Sequence, residues 1–259
     1  MPYLFIFLFG LAVGSFLNCV IYRLEISSSF MKGRSFCPHC KHTLSWQDLI
    51  PVFSFVFLRG RCRYCSQKIS LQYPLVELAA ALLFVLVFQY FGLGPELFFL
   101  LLISSFLIVI FVYDLKHYII PDSMVFSAII AAFLYQIFYS GQLSWDSLYL
   151  PFLSAVGASG FFLAIALISR GKWMGLGDVK LAFFMGLMLD WPNILLALFL
   201  SFLIGAIIGL GLIFKRRKTM KSEMPFGPFL IAGTLIALFW GEAIIEWYLQ
   251  LPPLFAFTF

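Results

Sequence analysis

The chain has 259 residues, 63% of them hydrophobic and only 11% charged, with a mean hydropathy of +1.01. A soluble domain is nearer half apolar and a quarter charged, so this composition excludes an ordinary soluble enzyme and predicts a polytopic membrane protein. The net charge of +5 reads as a topology signal, because a nucleic-acid footprint would need a basic face on a folded domain.

In chain order, apolar runs lie near 3–22, 75–92, 97–113, 122–139, 149–169, 193–214 and 227–248, and a shorter one lies near 178–190. Runs of about 20 apolar residues mark membrane-spanning helices. The expected fold is therefore an all-α bundle of about eight transmembrane helices. The first run lacks a basic stretch before it and a small-residue cleavage site after it, so it reads as a retained helix ending near Tyr22-Arg23. Every Lys and Arg falls in or beside alternate loops: 23–68, Lys116, 170–180 and 215–221. The loops near 93–96, 140–148 and 190–193 and the tail after 248 have none. The positive-inside rule then places the basic loops in the cytoplasm and both termini outside.

The sequence divides into a first span (1–23), a loop (24–73) and a larger membrane region (74–259). The loop is too short to build a generous core unaided. It holds four of the five cysteines, as Cys37-Pro38-His39-Cys40 and Cys62-Arg63-Tyr64-Cys65. Two C-x-x-C pairs at this spacing predict a tetrahedral zinc site, since each short turn offers two thiolates to one ion. Lys41, Arg59, Arg61 and Arg63 would offset the thiolate charge. A closed four-Cys site has no open coordination position, so the expected role is structural. Disulfides are the alternative, disfavoured in a cytoplasmic loop. His39 and His42 are possible substitute ligands but read more simply as polar loop residues. Cys19, inside the first span, reads as a packed hydrophobe. Glu77, near the start of the second span, either caps that helix or binds a ligand.

Two acids border the membrane region. Asp114 ends the third apolar run, and Asp178 follows the glycines of Gly175-Leu176-Gly177 at the start of the short run. Ionisable groups at membrane depth are costly and mark functional sites. The loop charges put both acids at one face. Paired carboxylates in a poorly solvated place share a proton. One can activate water while the other protonates the carbonyl or the leaving amine, which is peptide hydrolysis of the aspartic type. Taken singly, each acid could serve a helix end. Asp122, beside Pro121, reads as a helix cap, and His117 is a weaker competing base.

These motifs resemble the type IV prepilin peptidases, a family of GxGD-type membrane aspartic proteases. The resemblance runs through Gly14-Ser15-Phe16-Leu17-Asn18, both cysteine pairs, Arg59-Gly60-Arg61, Tyr73-Pro74-Leu75-Val76-Glu77, Asp114, Ile120-Pro121-Asp122, Gly175-Leu176-Gly177-Asp178 and Pro225-Phe226-Gly227-Pro228-Phe229. It implies catalysis by Asp114 and Asp178 and structural zinc on Cys37, Cys40, Cys62 and Cys65. It also implies a bacterial inner-membrane enzyme that cuts the basic leader from type IV prepilins or pseudopilins at the cytoplasmic face. N-methylation of the new terminus with S-adenosylmethionine is implied in the same way, with no residues assigned. Rival readings are a channel or transporter, a membrane methyltransferase without protease activity, and a zinc-stapled scaffold. A channel would spread its acids across the membrane, whereas both acids here lie at one face.

Overall fold

The computed structural model describes residues 1–26, 33–140, 145–214 and 224–250. The basic cluster Lys215–Lys218 and Lys221, part of the topology expectation, and Lys32 lie outside the described residues. The described residues form nine α-helices: α1 (Pro2–Glu25), α2 (Phe53–Phe57), α3 (Gln72–Phe91), α4 (Pro95–His117), α5 (Asp122–Ser140), α6 (Trp145–Ile168), α7 (Leu176–Leu189), α8 (Asn193–Phe214) and α9 (Gly227–Gln250). A 3₁₀ turn covers Trp46–Leu49. Only two isolated bridges, Phe36 with Thr43 and Arg61 with Lys68, carry β pairing among these residues.

Each of the eight expected apolar runs is a helix. Six helices (α1, α3, α4, α6, α8 and α9) are long and apolar enough to cross a membrane. The described apolar part of α5, Asp122–Ile137, is shorter. Helix α7 has 14 residues, or about 21 Å at 1.5 Å per residue, short of the roughly 30 Å hydrocarbon core. Sequence punctuation sets several of the starts. Pro2 and Pro95 open α1 and α4, where a missing N–H costs nothing. Pro121 precedes α5, whose first turn holds Asp122.

The chain forms two compact units, Met1–Val112 and Tyr113–Phe259. In the first, α1 packs along α3. A Cβ on Gly14 would lie 2.6 Å from the Glu77 Cα, so this contact requires glycine. Close backbone approach through small residues is how helices associate where lipid removes the hydrophobic drive. The Asn18 amide donates to the Tyr73 carbonyl at 3.0 Å and joins the two helices by a polar contact.

In the second unit α7 packs against α5, α6 and α9, and α8 packs against α9. Leu181, Ala182, Phe184 and Met185 of α7 are fully buried. By contrast α8 buries only Ile194, Ala197 and Ser201, leaving the rest of its apolar surface for lipid. The buried Gln136 side chain donates to the Leu187 carbonyl at 2.7 Å, fastening α5 to α7. The non-helical Gly-rich stretch before α7 is largely exposed, with Trp173 and Leu176 open to the surroundings, and enclosure begins with the body of the helix.

Candidate active site and metal centre

Asp114 sits in the last turn of α4 and is 4% exposed. Its Oδ2 accepts the Gly227 N–H at 3.0 Å. That N–H belongs to the first residue of α9 and has no partner within its own helix, so the carboxylate caps the helix where the dipole favours negative charge. A Cβ on Gly227 would fall 2.5 Å from the same oxygen. Glycine is thus the residue that lets α9 begin against Asp114.

Asp178 lies in the first turn of α7 and is half-buried. Its Oδ2 accepts the Gly175 N–H at 3.3 Å. The helix-cap role that competed with catalysis in the sequence is therefore real, and it fixes the carboxyl in place. Ile120 packs between the supports of Asp114 and Asp178: a Cβ on Gly177 would lie 3.0 Å from the Ile120 Cβ, and one on Gly227 would lie 3.3 Å from its Cδ1. Ile120 is 7% exposed, so an apolar wall borders the two acids.

Asp122 has another partner. Lys180 Nζ lies 2.6 Å from its Oδ1, and the Asp122 side chain is 63% exposed. The Lys180 ammonium also stands over the Phe126 ring at 5.3 Å. This pair ties α5 to α7 at the surface. His117 stacks on Tyr113, with ring centroids 4.4 Å apart. In the sequence, Gly227 and Ile120 belong to the motifs Pro225–Phe229 and Ile120-Pro121-Asp122 with no role of their own assigned. A glycine directly before a proline at the start of an apolar run was the available sign of a crowded helix start.

The four loop cysteines come together in the first unit. Their sulfurs all lie within 4.8 Å of one another, and Cys37 Sγ is 3.9 Å from Cys65 Sγ. None forms a disulfide. Zn–S bonds of about 2.3 Å in a tetrahedron put sulfurs roughly 3.8 Å apart, so the set fits zinc. The two pairs share one backbone design. In the first, the Cys37 N–H donates to His42 O and the Lys41 N–H to Cys37 O, both at 2.9 Å. In the second, the Cys62 N–H donates to Gln67 O at 2.8 Å and the Ser66 N–H to Cys62 O at 2.9 Å. Lys41 and Ser66 both take left-handed φ, +58° and +57°. The Gln67 backbone favours the Cys65 thiolate, but burial and the sulfurs of Cys62, Cys40 and Cys37 push that thiol up to about 11. A divalent cation supplies the charge that would let all four ionise.

Polar contacts finish the loop. Asp48 accepts hydrogen bonds from Ser45, from Arg63 at 2.7 Å and from Tyr64 at 3.1 Å. Burial raises its carboxyl, but the bonds from Ser45, Arg63 and Tyr64 outweigh that and hold it below the usual carboxylate range. His42 stacks on Tyr64 at 3.8 Å between centroids, which gives it a packing role beside the cysteines. Glu77, left between two readings by the sequence, is 7% exposed and accepts the Val52 N–H at 2.7 Å. It holds the loop onto α3.

An apolar helical bundle with two acids at helix ends and a four-cysteine loop defines a membrane protein with a candidate acid–base site. Residues 8–91 match the family model described as the bacterial Peptidase A24 N-terminal domain, and residues 101–210 match the type IV leader peptidase family. The chain is 34% identical to the prepilin leader peptidase/N-methyltransferase of Aeromonas hydrophila over 276 residues, covering 96% of this chain and 95% of the relative. It is 35% identical to the protein of the same name from Bacillus subtilis (strain 168) over 247 residues, covering 95% and 97%. It is also 35% identical to that from Legionella pneumophila, covering 95% and 94%. No solved structure matches. The chain belongs to the type IV leader peptidase family.

Proposed function

We propose that this chain cleaves the basic leader from type IV prepilins or pseudopilins, with Asp114 and Asp178 as its acid–base pair. The observation that carries the reading is Ile120, which packs against Gly177 next to Asp178 and against Gly227, whose N–H binds the buried Asp114, so the two acids border one apolar wall. The relatives' shared name, prepilin leader peptidase/N-methyltransferase, supports the substrate and reaction class. In this reading one carboxylate takes a proton from water as the oxygen attacks the scissile carbonyl. The other, protonated, stabilises the developing oxyanion and then gives its proton to the leaving amine as the C–N bond breaks. Backbone N–H groups from Gly227 and Gly175 hold the two carboxyls in position. No metal is needed for this step.

The same reading takes 1–23 as the first transmembrane helix, 24–73 as the zinc-stapled cytoplasmic loop and 74–259 as the protease core. It places the enzyme in the bacterial inner membrane, both termini outside, with the acids at the cytoplasmic face. Zinc on Cys37, Cys40, Cys62 and Cys65 would fold the loop. S-adenosylmethionine would supply a methyl group for the new N-terminal amine, a step supported by the relatives' name alone. The test is incubation of purified protein with a prepilin and methyl-labelled S-adenosylmethionine. Leader loss with a labelled mature terminus is expected. Label without cleavage would support a membrane methyltransferase instead, and neither activity would support a scaffold.

A further inference from the structure

Between the two cysteine pairs lies a segment whose surface does not suit water. Trp46 (73% exposed), Leu49 (40%), Phe53 (57%), Val56 (64%) and Phe57 (83%) all present large apolar groups within one short stretch. They come from the 3₁₀ turn and from α2, neither of which belongs to a spanning helix. Asp48, an acid of the same stretch, is turned away into its bonds with Ser45, Arg63 and Tyr64. Apolar exposure of this density marks an interaction surface.

Its depth is fixed by Glu77. Helix α3 has 20 residues, about 30 Å, and needs its whole length to cross the hydrocarbon core. Glu77 lies five residues inside the start of α3, about 7 Å below the boundary at 1.5 Å per residue. Helical side chains lean back toward the N-terminus, which returns the carboxylate toward the headgroup–acyl border. At that level it accepts the Val52 N–H at 2.7 Å. Val52 immediately precedes α2 and holds φ at +61°. A left-handed β-branched residue is a strained outlier that surroundings must enforce. The buried carboxylate is the group that captures its backbone there.

The geometry points to the segment Trp46–Phe57 as an interfacial anchor, with bilayer lipid as its occupant. Bolted at Val52 to the upper turns of α3, the segment is held where its aromatic and aliphatic groups meet the acyl-chain border. Interfacial helices bury their apolar faces at about this depth, roughly 5–10 Å into the headgroup region. The span to which it is fastened is itself apolar and open at this end, with Leu71 just before α3 and Leu75 in its first turn both exposed. The zinc site would then hold a loop that rests on the membrane instead of standing clear of it. This inference does not depend on the peptidase reading.

The test uses the full chain, loaded with zinc, in liposomes of phosphatidylethanolamine and phosphatidylglycerol. Photoreactive benzoylphenylalanine replaces Phe57 in one variant, Trp46 in a second and the exposed Gln67 in a control. After irradiation, mass spectrometry should find phospholipid adducts at positions 57 and 46 several-fold above those at 67, with zinc content unchanged. Equal lipid yields at all three positions would overturn the proposal. So would cross-links from 57 and 46 to protein in place of lipid, including links that form only when a prepilin is added.

Discussion

The candidate active site and the cysteine loop solve the problem of holding polar chemistry in place by different means. In the second unit, carboxylates are held by helix starts. Asp114 and Asp178 each accept a backbone N–H from a glycine, and at Gly227 a side chain would collide with the Asp114 carboxylate. In the first unit, sulfurs are held by local turns. Each cysteine pair is built from hydrogen bonds within a few residues, and only the meeting of the two pairs is long-range. A site built from packing should suffer from any added atom at the crossing. A site built from turns should depend on its ion and tolerate changes elsewhere in the bundle.

Variants probe that contrast from the largest effect downward. Asp114→Asn or Asp178→Asn keeps shape and removes the titrating proton, so prepilin cleavage should fall by about 10³-fold or more. Single-turnover cleavage measures this, with insertion and helix content unchanged. A near-normal rate for Asp178→Asn would end the dyad assignment. Gly227→Ala adds one carbon 2.5 Å from the Asp114 Oδ2. Displacing a reacting group by such an amount should cost about 10–100-fold in kcat with little change in KM. If the alanine variant cleaves normally, the Asp114 site is not set by that crossing.

Cys62→Ser should remove zinc and raise proteolytic nicking within 24–73, while the intrinsic cleavage step falls much less than in the aspartate variants. Metal analysis and limited proteolysis read this directly. Absence of zinc from freshly purified reduced protein would refute the metal centre. Loss of cleavage on zinc removal with the loop still resistant to protease would break the separation between the two regions.

The smallest effects concern surface ion pairs. Asp122→Asn breaks an exposed pair with Lys180, worth roughly 0.2–1 kcal/mol, so cleavage should stay near normal. Asp48 is depressed in the folded loop. Its support is therefore full above the ordinary carboxylate range and is lost as pH falls through the lower folded value. Loop protection from protease should weaken below about pH 4, the unfolded aspartate value, and Asp48→Asn should flatten that dependence.

Amino-acid order alone determined the membrane class, the positions of the apolar helices and the pairing pattern of the cysteines. Those features rest on local rules: the length of an apolar run, the residues that open helices, and two thiolates per short turn. Order also singled out Asp114 and Asp178, because acids bordering long apolar runs are conspicuous. Tertiary structure decided what each acid touches. Asp122 reads as a helix cap in sequence and proves to be paired at the surface with Lys180, whereas Asp114 is buried under Gly227. Glu77 reads two ways in sequence, and the fold settles its partner as the Val52 N–H, 25 residues away in the chain. The short α7 shows the same division: its apolar character was legible, but its enclosure by α5, α6 and α9 was not. Hydrophobicity records how far a residue prefers to be from water. Which helix or loop fills the space around it is set by contacts between distant segments, and those exist only once the chain has packed.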